Sequence, residues 1–509
     1  MRSRAMLGAL IGLLAAAVAV GVGELVAVFV RPAASPVIAV GNRVILLTPE
    51  NVKRTAISSV GTNDKSLLVI SIYVLLAAFG AFVGQLAMRR LAYGLGGIGL
   101  FGAFGTYCAL TANASRGTDV IPTLVGAVAA AGVLAGLVRA VHRDDAAATD
   151  PPLTQRRTFL LGAAGAAGMA AVAGFGVRAA QHAHFDVGAE RRKVALPKPV
   201  SAGRALPRGV DLGKSGRPWQ TPNGSFYQID TALSVPQIRP KDWRLHIHGM
   251  VDTPLTLNYA ELLQRPLIER WITLCCVSNQ VGGGLVGNAQ WLGARLADLL
   301  REAGVHPDSD QLILSSSDGM TIGAPTKVVM DGRDAMVAVG MNGVPLPQNH
   351  GFPARIVVPG LYGYVSACKW VVDIKATTFA AEQAYWVQGG WAQQTDIKLQ
   401  SRIDTPRSGA SVPSGRPVAI AGVAWDQHVG VSKVEVQVDD GEWLPARLAA
   451  VPSTDTWRQW AVAWTPPRPA SYRVRVRATD AAGMVETDVA APVFPSGATG
   501  LHTITVQAQ

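Results

Sequence analysis

The chain has 509 residues, 49% of them hydrophobic, and a formal net charge of +11. The charge is uneven, because residues 1–180 hold 15 lysines and arginines against 7 acidic residues. This length accommodates about three domains, and basic residues at the ends of apolar segments are typical of a membrane protein. Nucleic-acid binding is not indicated, since residues 181–509 carry no basic stripe interleaved with aromatic side chains.

Five apolar stretches in residues 1–180 predict transmembrane helices, each of which needs about 20 residues. They cover 5–30, 66–88, 91–115, 120–138 and 158–177. Arg89, Arg90, Arg139 and Arg143 fall on the side of the N-terminus, which the positive-inside rule makes cytoplasmic. Five spans then predict a multi-pass protein of the cell membrane whose remaining residues lie on the extracytoplasmic side. Basic residues in the connection 31–65 argue against this orientation.

The fifth stretch begins Thr154-Gln-Arg156-Arg157-Thr-Phe-Leu160, which resembles a twin-arginine export signal placed inside the chain. That route exports proteins already folded around cofactors. The alternative is that the two arginines mark an ordinary cytoplasmic helix end.

Residues 181–218 are rich in Arg, Lys, Pro and Gly without periodicity and predict a linker. Residues 219–400 mix both periodicities and predict an α+β domain. Its predicted strands are 243–249, 311–315 and 355–359, and its predicted helices are 259–263 and 296–303. His246 and His248 share one face of the first strand, where we interpret them as packing residues rather than metal ligands.

Three of the four cysteines lie in the predicted extracytoplasmic part: Cys275, Cys276 and Cys368. An odd number, with two of them adjacent, does not form a disulfide framework. Cys275 and Cys276 end a short apolar run and open into a glycine-rich loop. At least one thiol is therefore expected to be free for chemistry.

Three sequence blocks, in the correct order, resemble the sulfite oxidase family of molybdopterin-dependent oxidoreductases in its membrane-anchored bacterial form. They are Cys276-Val-Ser-Asn279 followed by Trp291-Leu-Gly293 and Leu296-Ala-Asp-Leu-Leu300; Gly343-Val-Pro-Leu-Pro-Gln-Asn-His350-Gly-Phe-Pro-Ala-Arg355-Ile-Val-Val-Pro-Gly360; and Lys369-Trp370-Val371. Upstream, Thr221-Pro-Asn223-Gly-Ser-Phe226-Tyr227 resembles a pterin-contacting loop of periplasmic sulfoxide reductase catalytic subunits. The resemblance covers about residues 200–505.

The resemblance implies a molybdenum–molybdopterin cofactor with Cys276 as the thiolate ligand of the metal, because molybdenum takes a soft anionic ligand from the protein. Cys275 then faces away as a small buried hydrophobe. The resemblance places Cys276 and Arg355 at the reacting centre. The positions expected to contact the cofactor are Asn223, Phe226, Tyr227, Asn279, Ser316, His350, Arg355, Gly363, Tyr364, Ser366 and Lys369, although the loop from Gly363 to Lys369 is one residue longer than the family's loop.

The implied reaction is a two-electron oxygen-atom transfer on a small, sulfur-containing substrate of the sulfoxide or sulfite type. Sulfite oxidases carry arginines after the motif asparagine, whereas Gln280, Val281 and Gly282 follow Asn279 here. An anionic substrate thereby loses a charge partner, which disfavours sulfite, although Arg355 alone could still attract it.

Residues 401–509 contain short alternating strands that predict an all-β immunoglobulin-like sandwich. By resemblance this domain implies a homodimer. No histidine precedes His142 and no Cys-x-x-Cys-His motif occurs, so electrons are expected to pass to or from a separate carrier, a quinone or a cytochrome. The alternative function is a non-catalytic cell-surface binding or scaffold protein built on a decayed molybdopterin domain.

Overall fold

The computed structural model describes residues 2–31, 34–48, 52, 64–112, 115–146, 163–171, 187–214 and 216–509. The chain divides into two compact units. One unit comprises Met1–Val187 with Thr231–Gln237, and the other comprises Gly188–Asp230 with Ile238–Gln509. Each unit has its own hydrophobic core.

The first unit is helical. Its main helices are α1 Arg2–Val30, α2 Pro36–Leu47, α3 Asp64–Arg89, α4 Leu91–Leu110 and α5 Ile121–Ala146. Within the described ranges, four segments are long and apolar enough to cross a membrane: Arg4–Val30, Leu67–Arg89, Leu91–Leu110 and Gly117–His142. Of the predicted fifth span, 163–171 is helical and the rest lies outside the described residues, as do Arg156 and Arg157.

Helices α1 and α3 pack closely through pairs of glycines. A Cβ atom added to Gly12 would lie 1.9 Å from the Gly80 carbonyl oxygen, and one added to Gly84 would lie 2.0 Å from that of Gly8. Each helix therefore presents glycines four residues apart on one face. This spacing lets two helix backbones approach in a membrane, where packing rather than the hydrophobic effect drives association.

The short helix α2 was not predicted from the sequence. The Ser35 side chain accepts a hydrogen bond from the Ile38 amide, and Pro36 occupies the first turn, both of which favour helix initiation. The Ser35 hydroxyl also donates to Glu24 at 2.5 Å. Glu24, an acid inside a candidate span, thus bonds a neighbouring polar group.

The second unit begins within the helix α6 Val187–Lys193, and its catalytic part contains one mixed sheet and one antiparallel sheet. One sheet has the order β2-β1-β10-β5-β6; the other runs β3-β4-β7-β8, with β9 also paired to β7. The strands are β1 Arg244–Gly249, β2 Leu255–Asn258, β3 Leu267–Cys275, β4 Val286–Arg295, β5 Gln311–Ser316, β6 Thr321–Pro325, β7 Met336–Met341, β8 Val344–Pro345, β9 Arg355–Val357 and β10 Val371–Thr377. The helices are α7 Tyr259–Leu263, α8 Leu296–Ala303, α9 Thr326–Met330 and α10 Tyr385–Gln388.

The predicted elements of this domain recur within two residues at each end. The segment predicted to be a linker also contacts the domain: Arg191 donates from Nε to the Leu346 carbonyl oxygen at 2.6 Å, and Ser201 bridges to Ile268 of β3. Placing the domain boundary near 218 remains a prediction.

The C-terminal residues form a two-sheet sandwich. Its sheets have the orders β11-β13-β17-β16 and β12-β19-β18-β14-β15. The strands are β11 Gln400–Thr405, β12 Ser411–Val412, β13 Val418–Trp425, β14 Val431–Val438, β15 Trp443–Pro445, β16 Arg447–Leu448, β17 Arg458–Trp464, β18 Ala470–Asp480 and β19 Thr503–Ala508. Alternate residues such as Val474 and Val476 are fully buried, which is the period-two pattern of an immunoglobulin-like core. The predicted fold class is confirmed.

Candidate active site

Cys276 is the first residue after strand β3, and it opens a loop that closes on itself. Its amide donates to the Leu285 carbonyl at 2.9 Å, and the Asn279 amide donates back to the Cys276 carbonyl at 3.0 Å. The Asn279 side chain accepts from the Leu285 amide at 2.8 Å. The spacing Cys-x-x-Asn therefore has a geometric reason, because the asparagine fixes the turn that presents the cysteine.

The two adjacent thiols have different surroundings. Burial raises the pKa of Cys276, but hydrogen bonds from Ser278 and the charge of Lys369 act to lower it. Burial raises the pKa of Cys275 well above its usual value, the neighbouring Cys276 raises it further, and Arg402 opposes the rise. The Cys275 thiol is fully buried and lies 3.5 Å from the Cys276 carbonyl oxygen. The environment thus favours Cys276 as the thiolate, since only its thiol combines hydrogen-bond donors with a nearby lysine.

Aromatic rings build one wall beside this loop. Phe226 stacks on Tyr227 with ring centroids 5.2 Å apart and meets Trp291 and His350 edge-on at 5.9 and 5.6 Å. A Cβ atom at Gly287 would lie 2.8 Å from the Phe226 ring, so strand β4 needs a residue without a side chain there. Phe226 is thereby held in place as a packing residue of the site.

Tyr227 is the member of this wall that carries a hydroxyl group. Burial, and then the Cys276 and Cys275 thiols, raise the pKa of Tyr227 well above its usual value. A Cβ atom built on Gly363 would lie 3.9 Å from the Tyr227 hydroxyl and 3.7 Å from the Cys275 carbonyl oxygen. Tyr227 and Gly363 therefore lie beside the cysteines, and the Tyr227 hydroxyl stays protonated and able to donate.

Asn223 and His350 connect two of the motif blocks. The Asn223 side chain donates to the Met341 carbonyl at 3.3 Å and accepts from Asn342 at 2.7 Å, while its carbonyl oxygen lies 3.0 Å from His350 Nε2. Burial, together with the Arg355 charge, lowers the pKa of His350 to about 4. His350 is therefore neutral at physiological pH and donates its Nε2 hydrogen to Asn223.

Arg355 is a buried cation. It is 5% exposed, donates to the carbonyls of His350 at 3.2 Å and Ala367 at 3.5 Å, and lies 5.0 Å from the centre of the Trp291 ring. Burial lowers its pKa to about 10, so it stays charged. Among the described residues it has no carboxylate partner, and a buried unpaired charge is costly. Its burial argues against a surface salt bridge, and a bound anion would offset this cost.

Lys369 has a partner that the sequence did not indicate. Its ammonium group lies 2.6 Å from an Asp230 carboxylate oxygen, with the two side chains 10% and 8% exposed. It also donates to the Asn349 carbonyl at 3.3 Å and lies 4.6 Å from the Trp370 ring centre. Asp230 stands three residues after Tyr227, and this proximity to a motif was the one sequence feature that could have indicated Asp230 as a site residue. The pair brings an acid into the site and offsets the lysine charge.

In the loop from Gly363 to Lys369, the glycine lies beside the cysteines, whereas the Tyr364 and Ser366 hydroxyls bond to other parts of the protein. The Tyr364 hydroxyl donates to the Ala392 carbonyl at 2.6 Å and lies 2.7 Å from the Thr395 hydroxyl. The Ser366 hydroxyl donates to backbone carbonyls of its own turn, at 2.9 Å to Tyr362. Both hydroxyls already form hydrogen bonds within the protein. Cofactor contacts of Tyr364 and Ser366 remain predictions, and they would involve other atoms of these residues.

The immunoglobulin-like domain holds the cysteine loop from outside. Arg402 donates to the Gly283 carbonyl at 2.7 Å and pairs with Asp404 at 2.8 Å. Gly282 has φ +74°, and a Cβ atom there would lie 2.2 Å from the His502 ring. Gly282 is thus required by close packing and by its positive φ. No local sequence pattern indicates this role of the sandwich, because it arises from contacts between distant residues.

The donor set fits a molybdopterin cofactor. The Asn279 Nδ2, Ser316 Oγ and Ser317 Oγ atoms are buried without a hydrogen-bond partner among the described residues, and such groups call for an acceptor or donor supplied by a ligand. Cys276 offers a thiolate, and Arg355 a cation without a carboxylate. Ser316 ends strand β5 and Ser317 follows it. The Ser317 amide donates to the Trp370 carbonyl at 3.0 Å, so both serines adjoin the Lys369 loop.

Comparisons with known proteins agree with this site. The family model "Oxidoreductase molybdopterin binding domain" matches residues 232–386, and "Bacterial Ig domain" matches residues 400–506. Sulfite oxidase of Gallus gallus is 30% identical over 324 residues, which cover 54% of this chain and 69% of that protein. Uncharacterized oxidoreductase YuiH of Bacillus subtilis is 31% identical over 154 residues, 30% of this chain and 74% of that protein.

Other similar proteins overlap less completely. The match to mitochondrial sulfite oxidase of Mus musculus, at 31% identity, covers 54% of this chain and 58% of that protein, so the chain spans little more than half the length of this relative. The sulfane dehydrogenase SoxCD structure from Paracoccus pantotrophus aligns at a TM-score of 0.49 and 24% identity, over 57% of this chain and 81% of that chain.

The family matches agree with the resemblance that the motif blocks indicated. They favour an enzyme carrying the molybdenum cofactor over a decayed scaffold. The chain belongs to the sulfite oxidase family of molybdopterin-dependent oxidoreductases.

Proposed function

We propose that the protein is a membrane-anchored, extracytoplasmic enzyme that transfers an oxygen atom between water and a small, neutral, sulfoxide-type substrate. When bound, the molybdenum cofactor supplies the two-electron redox centre. The protein supplies the metal ligand, the groups that hold the cofactor and the shape of the pocket. The Lys369–Asp230 pair beside the cysteine loop carries the choice of a neutral substrate.

Within this proposal Cys276 binds molybdenum through its thiolate. Arg355 and the polar groups of Asn279 and Ser316 hold the cofactor, whose anionic phosphate matches a buried guanidinium. The Phe226–Tyr227 stack excludes water from one side. Tyr227, protonated beside the thiols, is placed to donate a hydrogen bond to a bound oxygen atom.

The charges near Cys276 favour a neutral substrate over the sulfite dianion. Lys369 is 2.6 Å from Asp230, and Arg402 is 2.8 Å from Asp404, so each cation is offset by an acid. Arg355 remains, but it is buried among backbone carbonyls and suits the cofactor's phosphate. A dianion needs at least one uncompensated cation to offset the cost of leaving water. Sulfite is the second candidate because the relatives named above include sulfite oxidases.

A direct comparison of substrates tests this proposal. The full chain, purified in detergent with molybdenum bound, is assayed for sulfoxide reduction with a reduced viologen dye and for sulfite oxidation with ferricyanide. We expect the kcat/KM for a dialkyl sulfoxide to exceed that for sulfite by at least about tenfold, the factor that corresponds to an interaction of about 1.4 kcal/mol. Faster sulfite oxidation would overturn the substrate, and inactivity in both directions would overturn the proposed reaction.

The membrane location rests on four apolar helices and on arginines such as Arg89, Arg90 and Arg139 at their ends. With the predicted fifth span, the positive-inside rule places the catalytic unit outside the cytoplasm. A C-terminal alkaline phosphatase fusion, active only outside the cytoplasm, tests the side. Activity of a cytoplasmic reporter at the same position would contradict it.

We further propose that electrons pass through a separate carrier, a quinone or a cytochrome, and that the sandwich supports a homodimer as the family resemblance implies. The described helices hold His142 as their one histidine, which supports an external carrier rather than a haem bound in the bundle. Mass measurement of the detergent-solubilised protein tests the dimer.

A further inference from the structure

The strands β1 and β10 bring two histidines and an aspartate together on one face of a sheet. They pair in parallel with His246 opposite Asp373 and His248 opposite Lys375. Side chains two residues apart on a strand point to the same face. His246 and His248 therefore stand side by side, with Asp373 reaching both from the neighbouring strand.

The three side chains converge on a common point. His246 Nδ1 lies 3.4 Å and His248 Nε2 lies 3.0 Å from the same Asp373 oxygen, Oδ2. One ligand atom from each residue can be chosen so that all three lie within 4.8 Å of one another. The two imidazole rings stack with centroids 4.5 Å apart and planes 13° apart.

Core packing alone does not account for this arrangement, because all three side chains keep a substantial exposed fraction. The side chains of His246, His248 and Asp373 are 45%, 31% and 29% exposed, whereas Leu245 and Ile247, on the opposite face of the same strand, are fully buried. The histidines thus stand on the more exposed face of β1, opposite its buried face.

We propose that His246, His248 and Asp373 form a site for a divalent first-row transition cation of the Zn²⁺ type. Two imidazoles and a carboxylate are the ligand set this ion prefers, with water in the remaining position. At metal–ligand distances of about 2.0 to 2.1 Å, tetrahedral ligand atoms lie about 3.3 Å apart. The separations of 3.4 and 3.0 Å are close to that value.

The surrounding charges permit a cation. The cluster holds one carboxylate, that of Asp373. The nearest cation along β10, Lys375, lies opposite His248 but is paired with Glu382 at 2.6 Å. A bound ion would link β1 to β10, and β10 begins directly after Trp370. The site would therefore stabilise the strand that follows Lys369.

Competition titration tests the site. The full-length holoenzyme, carrying a histidine-free affinity tag, is titrated with Zn²⁺ against a fluorescent chelator. We expect one site of micromolar or tighter affinity, weakened at least about tenfold by His248→Ala or by Asp373→Asn, since even the loss of a group that orients a ligand costs 10- to 100-fold. Cobalt(II) supplies a second readout through its visible absorption when four-coordinate.

His306→Ala is the matched control, because His306 also pairs with an exposed acid, Asp252, at 3.2 Å but lacks a second histidine. It should leave the Zn²⁺ affinity unchanged. Molybdenum content and circular dichroism establish that each variant is folded. Equal Zn²⁺ affinity in wild type and in a folded His248→Ala protein would overturn the proposal, as would the absence of micromolar binding to wild type.

Discussion

Replacing Arg402 by alanine separates the support given by the sandwich from the chemistry of the site. Arg402 has a 3% exposed side chain, pairs with Asp404 at 2.8 Å and donates to the Gly283 carbonyl at 2.7 Å. In Arg402→Ala, the carbonyl loses its donor and the nearly buried Asp404 keeps Arg217 at 3.3 Å. The substitution thus removes one hydrogen bond to the Gly283 carbonyl and one of the two arginines that pair with the Asp404 carboxylate.

The size of the effect follows from these contacts. An unpaired buried carbonyl costs about 1 to 3 kcal/mol, and breaking a buried ion pair costs about 3 to 5 kcal/mol when no partner remains. Because Arg217 remains, we expect a total loss of about 3 kcal/mol in the free energy of unfolding. The unit holds roughly 315 residues, and at about 2.1 cal/mol/K of unfolding entropy per residue the Tm should fall by about 5 °C.

Thermal unfolding of the full chain in detergent, followed by tryptophan fluorescence, measures this loss. The control is Arg473→Ala, whose partner Asp440 lies at 2.8 Å on the surface, with side chains 49% and 87% exposed. Such a pair contributes about 0 to 1 kcal/mol, so its Tm should shift by less than about 2 °C. Equal shifts in the two variants would refute the idea that Arg402 secures the cysteine loop.

Asp230→Asn removes the carboxylate paired with Lys369 at 2.6 Å. It should lower the free energy of unfolding by about 3 kcal/mol and lower the KM for sulfite. An unchanged KM would contradict the proposal that Asp230 offsets the Lys369 charge. The pKa of His350 is about 4 in the folded protein and about 6.5 in the unfolded chain. The unfolded chain therefore binds this proton first as the pH falls, and the free energy of unfolding should drop by about 3 kcal/mol between pH 6.5 and pH 4. A pH series of Tm values should show a shallower slope for His350→Asn than for wild type. Lysines at Arg156 and Arg157 should retain the catalytic unit in the cytoplasm, whereas normal export would favour ordinary threading.

Local patterns were enough to predict most elements of the catalytic unit and the sandwich. Helical periodicity located Tyr259–Leu263 and Leu296–Ala303 with their observed bounds. The motif Cys276-Val-Ser-Asn279 was also readable, because its hydrogen bonds close within ten residues. Short-range signals of this kind depend on residue spacing alone, so the sequence contains them directly.

The missed features depend on contacts between distant residues. Asp230 and Lys369 are 139 positions apart, and Arg402 and Gly283 are 119 apart. Neither Asp230 nor Arg402 belongs to a motif, so the residues next to them in the sequence do not indicate their partners. The exposure of the β1 histidines was not predicted for a related reason. Alternation showed that they share a face, but which face meets solvent is decided by the packing of the whole sheet.

The most direct test of the account is X-ray absorption at the molybdenum edge, comparing wild type with Cys276→Ser and with Cys275→Ser. If Cys276 supplies the thiolate, Cys276→Ser should keep the pterin, lose turnover and show one sulfur neighbour fewer at the metal, while Cys275→Ser should match wild type. An unchanged sulfur count in Cys276→Ser, or a loss in Cys275→Ser instead, would contradict the assignment of the metal ligand on which the proposed site is built.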